Sequence, residues 1–358
     1  MGTDNFYHDE PLFGLDIGHS SAKVMQLEIK KGEKPRVLGY GMGKFPSEVK
    51  MNGVITDYDL LAKHMYDFFK NHLVGGVYTR RVACSLPTSH SYSRLMKIPD
   101  MDDADIAEAI KLEAEQYIPM PVDNLYIDYD ISSRNESGIE LLMVATPKTI
   151  VDSYVKFLES IDLEPVALEP SMNATSRLYS LGIQSPAAEA SILVDFGAIS
   201  IDLAVFDKTM IVNSTLAGGS ELITKLIGQA MKVDLDEAFE IKSKYGIGVS
   251  EKQQKVSAAI QPVLEDLIKE IRRILRYYTD RVGQDNQKRI ARIVTSGGGA
   301  TMPGINEYLA KELNLPSETL NPWDNLDFGS LKKPAFLQQS AYITVAGEAF
   351  LNPEGIYA

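Results

Sequence analysis

Short runs of apolar residues alternate with polar ones through the first part of the chain, and longer stretches repeat apolar positions every three or four residues, which predicts a mixed α/β protein. Phe13 to Ile17 and Val24 to Ile29 read as strands joined by a Gly turn, and Val37 to Phe45 as a third strand. Asp59 to His72 is an amphipathic helix with Asp57 or Asp59 as N-cap and Gly75-Gly76 beyond its end. A strand from Arg81 to Leu86 stops at Pro87. From there to about Leu163 the pattern gives strand (Ser91 to Ile98), helix (Asp103 to Tyr117), strand (Leu125 to Ile131), polar turn (Asn135 to Gly138), strand (Glu140 to Thr146) and helix (Lys148 to Ile161), a small α+β unit inserted in a larger domain. A helix from Ser171 to Leu181 and a Pro-containing linker, Gln184 to Ala190, follow.

Downstream, Ile192 to Phe196 and Leu203 to Phe206 repeat the strand–turn–strand pattern. A helix starts at Ser220 after Gly218-Gly219, and another spans Asp236 to Tyr245, closed by Gly246. The longest stripe, Val263 or Leu264, Leu267, Ile271, Ile274 and Tyr278, predicts a helix from Pro262 to Val282 with the proline at its first turn and Gly283 after its end. Lys269, Arg272, Arg273 and Arg276 fall outside that stripe and read as a solvated face. Arg292 to Ser296 is a strand, Ile305 to Leu313 a helix, and Ser340 to Phe350 a closing helix.

The repeat carries the chemistry. Gly14-Leu15-Asp16-Ile17-Gly18-His19-Ser20-Ser21-Ala22-Lys23 and Val194-Asp195-Phe196-Gly197-Ala198-Ile199-Ser200-Ile201-Asp202 share an Asp, an apolar residue, a Gly turn and a returning strand. One such turn is an ordinary β-hairpin. Two in register suggest paired sites, because a tight Gly turn can aim backbone N–H groups at a phosphate while the Asp holds a hydrated Mg²⁺. Gly297-Gly298-Gly299 allows close backbone approach to a flat ligand, and the helix opened by Met302-Pro303-Gly304 points its N-terminus at the same place.

Length, charge and composition narrow the classes. The 358 residues amount to about two domains. A net charge of −13 speaks against a nucleic-acid binder and against adhesion to anionic lipid. Cys84 is the single cysteine, which leaves no intrachain disulfide and points to the cytosol. The first ten residues are polar and acidic rather than a signal peptide, and no apolar run is long enough for a membrane span. The five histidines offer no metal-ligand pairing.

The order of motifs resembles the actin/Hsp70/sugar-kinase superfamily and, within it, the PilM family of actin-like type IV pilus assembly proteins, related to FtsA. The carrying residues are the two hairpins, Glu113-Ala114-Glu115-Gln116-Tyr117-Ile118-Pro119-Met120-Pro121, Gly218-Gly219, Glu270-Ile271-Arg272-Arg273 and Ser296-Gly297-Gly298-Gly299-Ala300-Thr301-Met302-Pro303-Gly304. The resemblance implies a two-lobed actin-like (ribonuclease H-like) fold with duplicated lobes. Residues 1–85 would form the first lobe, 86–163 its inserted domain and 164–190 its return. Residues 191–217 and 290–335 would form the second lobe, 218–289 its helical subdomain, and 336–358 a closing helix on the first lobe.

It also implies ATP with Mg²⁺. Gly18, His19, Ser20, Ser21 and Lys23 would face the phosphates, Asp16 and Asp195 the metal's waters, and Gly197 and Ala198 the second phosphate turn. Gly218, Gly219, Gly297, Gly298, Gly299, Met302 and Lys242 would line the adenosine, although Phe239 stands where relatives have a Glu and Glu240 is the nearest substitute. Ala198-Ile199 replaces the Gly-Thr of many relatives, so hydrolysis is expected to be slow or absent. The implied role is a non-enzymatic cytoplasmic scaffold that binds the short N-terminal peptide of the inner-membrane protein PilN and so sits at the membrane's inner face. It would link PilN to the pilus motor ATPases and platform, with self-association left open. Peptide contact is expected within Ile110, Ala114, Tyr117, Ile118 and Met120, where two prolines stiffen an apolar segment. The rival readings are an FtsA-like filament former, which would want a basic amphipathic tail where this chain has Glu348 and Glu354, and a small-molecule kinase, which would need a further carboxylate base.

Overall fold

The computed structural model describes residues 11–182, 190–286 and 289–351, arranged in two compact units. The first comprises residues up to 182 with 322–333 and those from 344 onward; the second comprises 183–321 and 334–343.

The first unit is built on strands β1 (Phe13–Ile17), β2 (Ser21–Glu28), β3 (Arg36–Lys44), β4 (Lys50–Met51), β5 (Val54–Ile55), β6 (Leu73–Gly75), β7 (Arg81–Leu86), β8 (Tyr92–Ile98), β9 (Leu125–Asn135), β10 (Gly138–Pro147) and β11 (Glu164–Pro170). Its helices are α1 (Tyr58–Asn71), α2 (Asp103–Glu115), α3 (Lys148–Ser160) and α4 (Ser171–Gly182). The main sheet runs β11-β7-β1-β2-β3-β6, with β1 parallel to β7 and antiparallel to β2. Phe13, Leu15, Ile17, Val24, Val82 and Cys84 form a buried layer with Leu61, Met65 and Phe68 of α1 and Tyr154, Phe157 and Leu158 of α3. Asp57 caps α1 by accepting from the Leu60 N–H at 2.9 Å, as its sequence position predicts. The inserted strands run β8-β10-β9, all antiparallel, and their apolar face packs on α2.

The second unit contains β12 (Ala190–Phe196), β13 (Ser200–Asp207), β14 (Thr209–Ala217), β15 (Ile290–Ser296) and β16 (Ser317–Thr319). Its helices are α5 (Ser220–Met231), α6 (Leu235–Lys244), α7 (Gln253–Asn286), α8 (Ile305–Leu313) and α9 (Phe336–Gln339); α10 (Ile343–Ala349) follows α9 after a 3-10 turn and belongs almost wholly to the first unit. The strands follow the order β16-β15-β12-β13-β14, with β12 antiparallel to β13 and parallel to β15. This is the order β11-β7-β1-β2-β3 of the first unit repeated, so the sequence duplication extends to topology.

Several elements depart from the sequence pattern. Strand β11 contains Pro165 and Pro170, whose missing donors hide it from a propensity reading. The β4–β5 hairpin closes on Asn52 and Gly53, both at positive φ (50° and 82°), a two-residue turn that the Asn-Gly dipeptide announces. Helix α7 begins nine residues before Pro262, because the buried stripe continues backwards through Ile260 and Val256. The proline lies on the exposed side, where water can serve the carbonyl of Ala258 that it leaves without a donor. Gly283 falls inside this helix rather than after it. Residues 184–189 of the expected linker lie outside the described residues, and Ala190 opens β12.

Candidate functional site

In the first hairpin the Gly18 N–H donates to the Ser21 carbonyl at 2.9 Å, closing the turn that carries His19 and Ser20. A Cβ at Gly18 would lie 3.1 Å from that carbonyl and 3.4 Å from the Lys23 Nζ, a tight fit that a neighbour would have to give way to by a few tenths of an ångström. Asp16 and Lys23 face each other across the strands, and the ammonium donates to the carboxylate at 2.8 Å. Ser85 of β7 donates to the other carboxylate oxygen at 2.9 Å. Burial alone would push the Asp16 carboxyl up, but Lys23, Ser85 and Lys50 together outweigh it and hold the group below its ordinary value.

The sequence reading passed over Lys50. It sits on β4, and its ammonium donates to the Ile17 carbonyl at 2.6 Å and to the Tyr154 hydroxyl at 3.3 Å. Burial lowers its pKa to about 8, with Asp16 pulling the other way. The Asn52-Gly53 turn was the one signal that could have placed a lysine there.

In the second hairpin the Gly197 and Ala198 carbonyls accept from the Ser220 and Glu221 N–H groups at 2.8 and 2.9 Å, so the start of α5 holds this turn. Gly219 is required by that contact, since its Cβ would lie 2.5 Å from the Gly197 carbonyl oxygen. Gly218 adopts φ 102° and donates to the Ile199 carbonyl at 3.0 Å. Across the strands Asp195 faces Asp202, where the first hairpin has Lys23 facing Asp16. Ser296 donates to Asp195 at 3.3 Å, and Thr215 donates to Asp202 at 2.5 Å. Burial raises Asp202 to about 6, against the pull of Thr215 and Ser200.

The three glycines after β15 differ in what demands them. Gly297 has φ 82°, and its Cβ would collide with the Asp195 carboxylate and come within 2.6 Å of the Phe196 carbonyl. Gly299 would place its Cβ 2.9 Å from that of Phe196. Gly298 is exposed, and a Cβ there would meet nothing within 4 Å, so no protein group occupies its outer face.

Two residues expected at the adenosine are interior. Lys242 donates to the Ser220 hydroxyl and the Thr224 hydroxyl, both at 2.7 Å, and to the Ser220 carbonyl at 3.1 Å, which uses all three ammonium hydrogens. Burial lowers its pKa to about 8, with Glu221 opposing. Met302 is 4% exposed. Phe239 is on the surface with the Lys242 ammonium 4.9 Å from its ring centre, and Glu240 is exposed.

The apolar stripe of α2 likewise faces inward. Ile110, Ala114 and Ile118 belong to the core of the inserted domain with Met96, Ile98 and Leu141. Of the five residues expected at a peptide, Tyr117 is exposed, with the Arg94 guanidinium 3.7 Å from its ring centre, and Met120 is half-buried. Leu112 on the outer side of α2 is also exposed. Periodicity marked the residues that make the helix pack, and those are the ones a partner cannot reach. Among the described residues no helix is long and apolar enough to cross a membrane.

Comparison with known proteins places this geometry. The family model described as type IV pilus assembly protein PilM matches residues 14–351. The cell division protein FtsA of Neisseria meningitidis serogroup B is 24% identical over 353 residues, covering 86% of this chain and 83% of the relative. Among solved structures, a PilM-PilN type IV pilus biogenesis complex matches with a TM-score of 0.80 at 23% identity, over 95% of this chain and 98% of that one. MreB5 of Spiroplasma citri bound to AMPPNP matches with a TM-score of 0.52 at 11% identity, over 95% of each chain. The fold is the actin-like ATPase fold.

Proposed function

The chain belongs to the PilM family of type IV pilus assembly proteins, and on that footing we propose that it is an ATP-binding scaffold of pilus assembly whose partner is the short cytoplasmic N-terminal peptide of PilN. The observation that carries the nucleotide reading is the contrast between the turns. The first faces its carboxylate with a lysine, which suits phosphate oxygens; the second faces one carboxylate with another, which suits a hydrated Mg²⁺. Asp195, with Asp202 opposite it, would order the metal's waters at the second turn, and Asp16, already paired with Lys23, is the acid proposed for the same task at the first. Mg²⁺ supplies charge neutralisation of the phosphates when bound. His19, Ser20, Ser21 and Ala198 would face the phosphates from the turns that Gly18 and Gly197 shape, and the open face of Gly298, with Gly218 and Gly219, would line the adenosine.

Ala198 and the exposed Ile199 bring no hydroxyl to the second turn, so hydrolysis is slow and ATP acts as a structural ligand. The PilN peptide meets the inserted domain at Tyr117 and Met120, and through it the protein is held at the inner face of the membrane, where it reaches the pilus motor. Calorimetric titration of ATP with Mg²⁺, and of a PilN N-terminal peptide into protein with and without ATP, tests both halves. Binding of each is expected. Turnover of many ATP per second would refute the scaffold reading, and unchanged peptide affinity in folded Tyr117→Ala would refute the peptide site.

A further inference from the structure

Lys23 and Lys50 both act on the one carboxylate of Asp16, Lys23 by direct contact and Lys50 through the field it adds from β4. Four further titratable groups nearby are shifted towards their uncharged forms. Burial pushes the Cys84 thiol of β7, the Tyr154 phenol of α3 and the Glu348 carboxyl of α10 well up, and burial with Lys50 holds the His90 imidazole below its ordinary value. Two ammonium groups therefore stand beside one carboxylate at the start of the turn.

Lys50 is fixed where it is. The β4–β5 hairpin is tied to α3 by the Ile55 N–H donating to the Ser153 hydroxyl at 3.2 Å, and to the chain before α1 by the Thr56 N–H donating to the Val49 carbonyl at 2.8 Å. The Gly53 turn fits against His90, whose ring would lie 2.7 Å from a Cβ there. From this support the ammonium takes the carbonyl of Ile17, the residue immediately before Gly18, at 2.6 Å. It therefore fixes the Ile17–Gly18 peptide, whose N–H closes the turn on the Ser21 carbonyl, and adds its charge from the other side.

We propose that Lys50 is a positioning residue for an anionic ligand of the first turn: it holds the Ile17–Gly18 peptide and adds a second ammonium there, which favours a polyphosphate. This rests on the nucleotide reading and adds to it a residue outside both repeated motifs. Lys50 does not touch the ligand; it acts through Ile17 and through its field.

The test compares ATP, ADP and adenosine binding by calorimetry to the whole protein and to Lys50→Gln and Lys50→Arg, with melting curves taken without ligand. Loss of a charge-assisted contact predicts that Lys50→Gln weakens ATP and ADP by about tenfold while adenosine stays within about threefold. Lys50→Arg keeps the charge and recovers most of the loss. ATP affinity unchanged in folded Lys50→Gln overturns the proposal, and so does an equal loss for ATP and adenosine. If Lys50→Gln does not fold, Lys50→Met carries the same comparison, because its unbranched side chain fills similar space. Failure of both to fold assigns Lys50 to stability alone and overturns the proposal. Wild-type protein that binds none of the three ligands fails the nucleotide reading itself, a result distinct from binding that ignores Lys50.

Discussion

Glu348 on α10 has no exposed surface, and neither of its carboxyl oxygens has a hydrogen-bond partner. Beside it, Arg177 of α4 grips Glu169 of β11 with two bonds of 2.6 and 2.7 Å and also donates to the Gly347 carbonyl at 3.0 Å. Burial first, then the charge of Glu169, pushes the Glu348 carboxyl well above its ordinary 4.5, and Arg177 opposes this without reversing it. The folded protein therefore holds a proton that the unfolded chain releases. Stability from this group is complete below pH 4.5 and is lost as pH rises toward the folded value. Each pH unit inside that window costs about 1.4 kcal/mol. Glu348→Gln removes the titration and Glu348→Met removes the buried polar group as well. Both should gain stability relative to wild type as pH rises, with Glu348→Met ahead by about 1–3 kcal/mol at pH 7. Urea unfolding between pH 5 and 8, followed by the fluorescence of Trp323, measures this in the unit that contains both residues. Parallel wild-type and Glu348→Gln stability profiles across that range would refute the reasoning.

The glycine triplet separates folding from binding. Gly297→Ala should cost about 2–4 kcal/mol, since it forces a Cβ onto Asp195 at a left-handed φ, whereas Gly298→Ala should melt within about 1 °C of wild type yet weaken nucleotide binding; equal melting of the two variants counts against the assignment. Lys242→Met should lower stability by about 1–3 kcal/mol through the orphaned Ser220 and Thr224 groups and leave ATP affinity within about threefold, read by chemical unfolding and calorimetry; a selective loss of ATP binding would restore Lys242 to the site.

The repeated hairpins, the inserted α+β segment and the stop of α2 near Pro119 were legible because each carries a local signal: a Gly turn, a helical stripe, a missing donor. Strands β11, β14 and β16 were not. The first carries a proline near each end, and the last is only three residues long and is recognisable only beside β15. The α7 boundary was misplaced because a proline at a helix start and one on an exposed helix face look alike until burial is known. At the site, sequence distinguished which residues are special but not whom they serve. Lys242 and Met302 are special to the core, Ile110, Ala114 and Ile118 to the packing of α2, and Lys50 stands outside any motif because its importance comes from a hairpin folded beneath the turn.

Register offers a last point. Seven positions after the first aspartate stands an ammonium; seven after its counterpart stands a second acid. With this one exchange of sign the two hairpins are chemically unlike: an anion is drawn to the first, with its ammonium, and a cation to the second, with its paired acids.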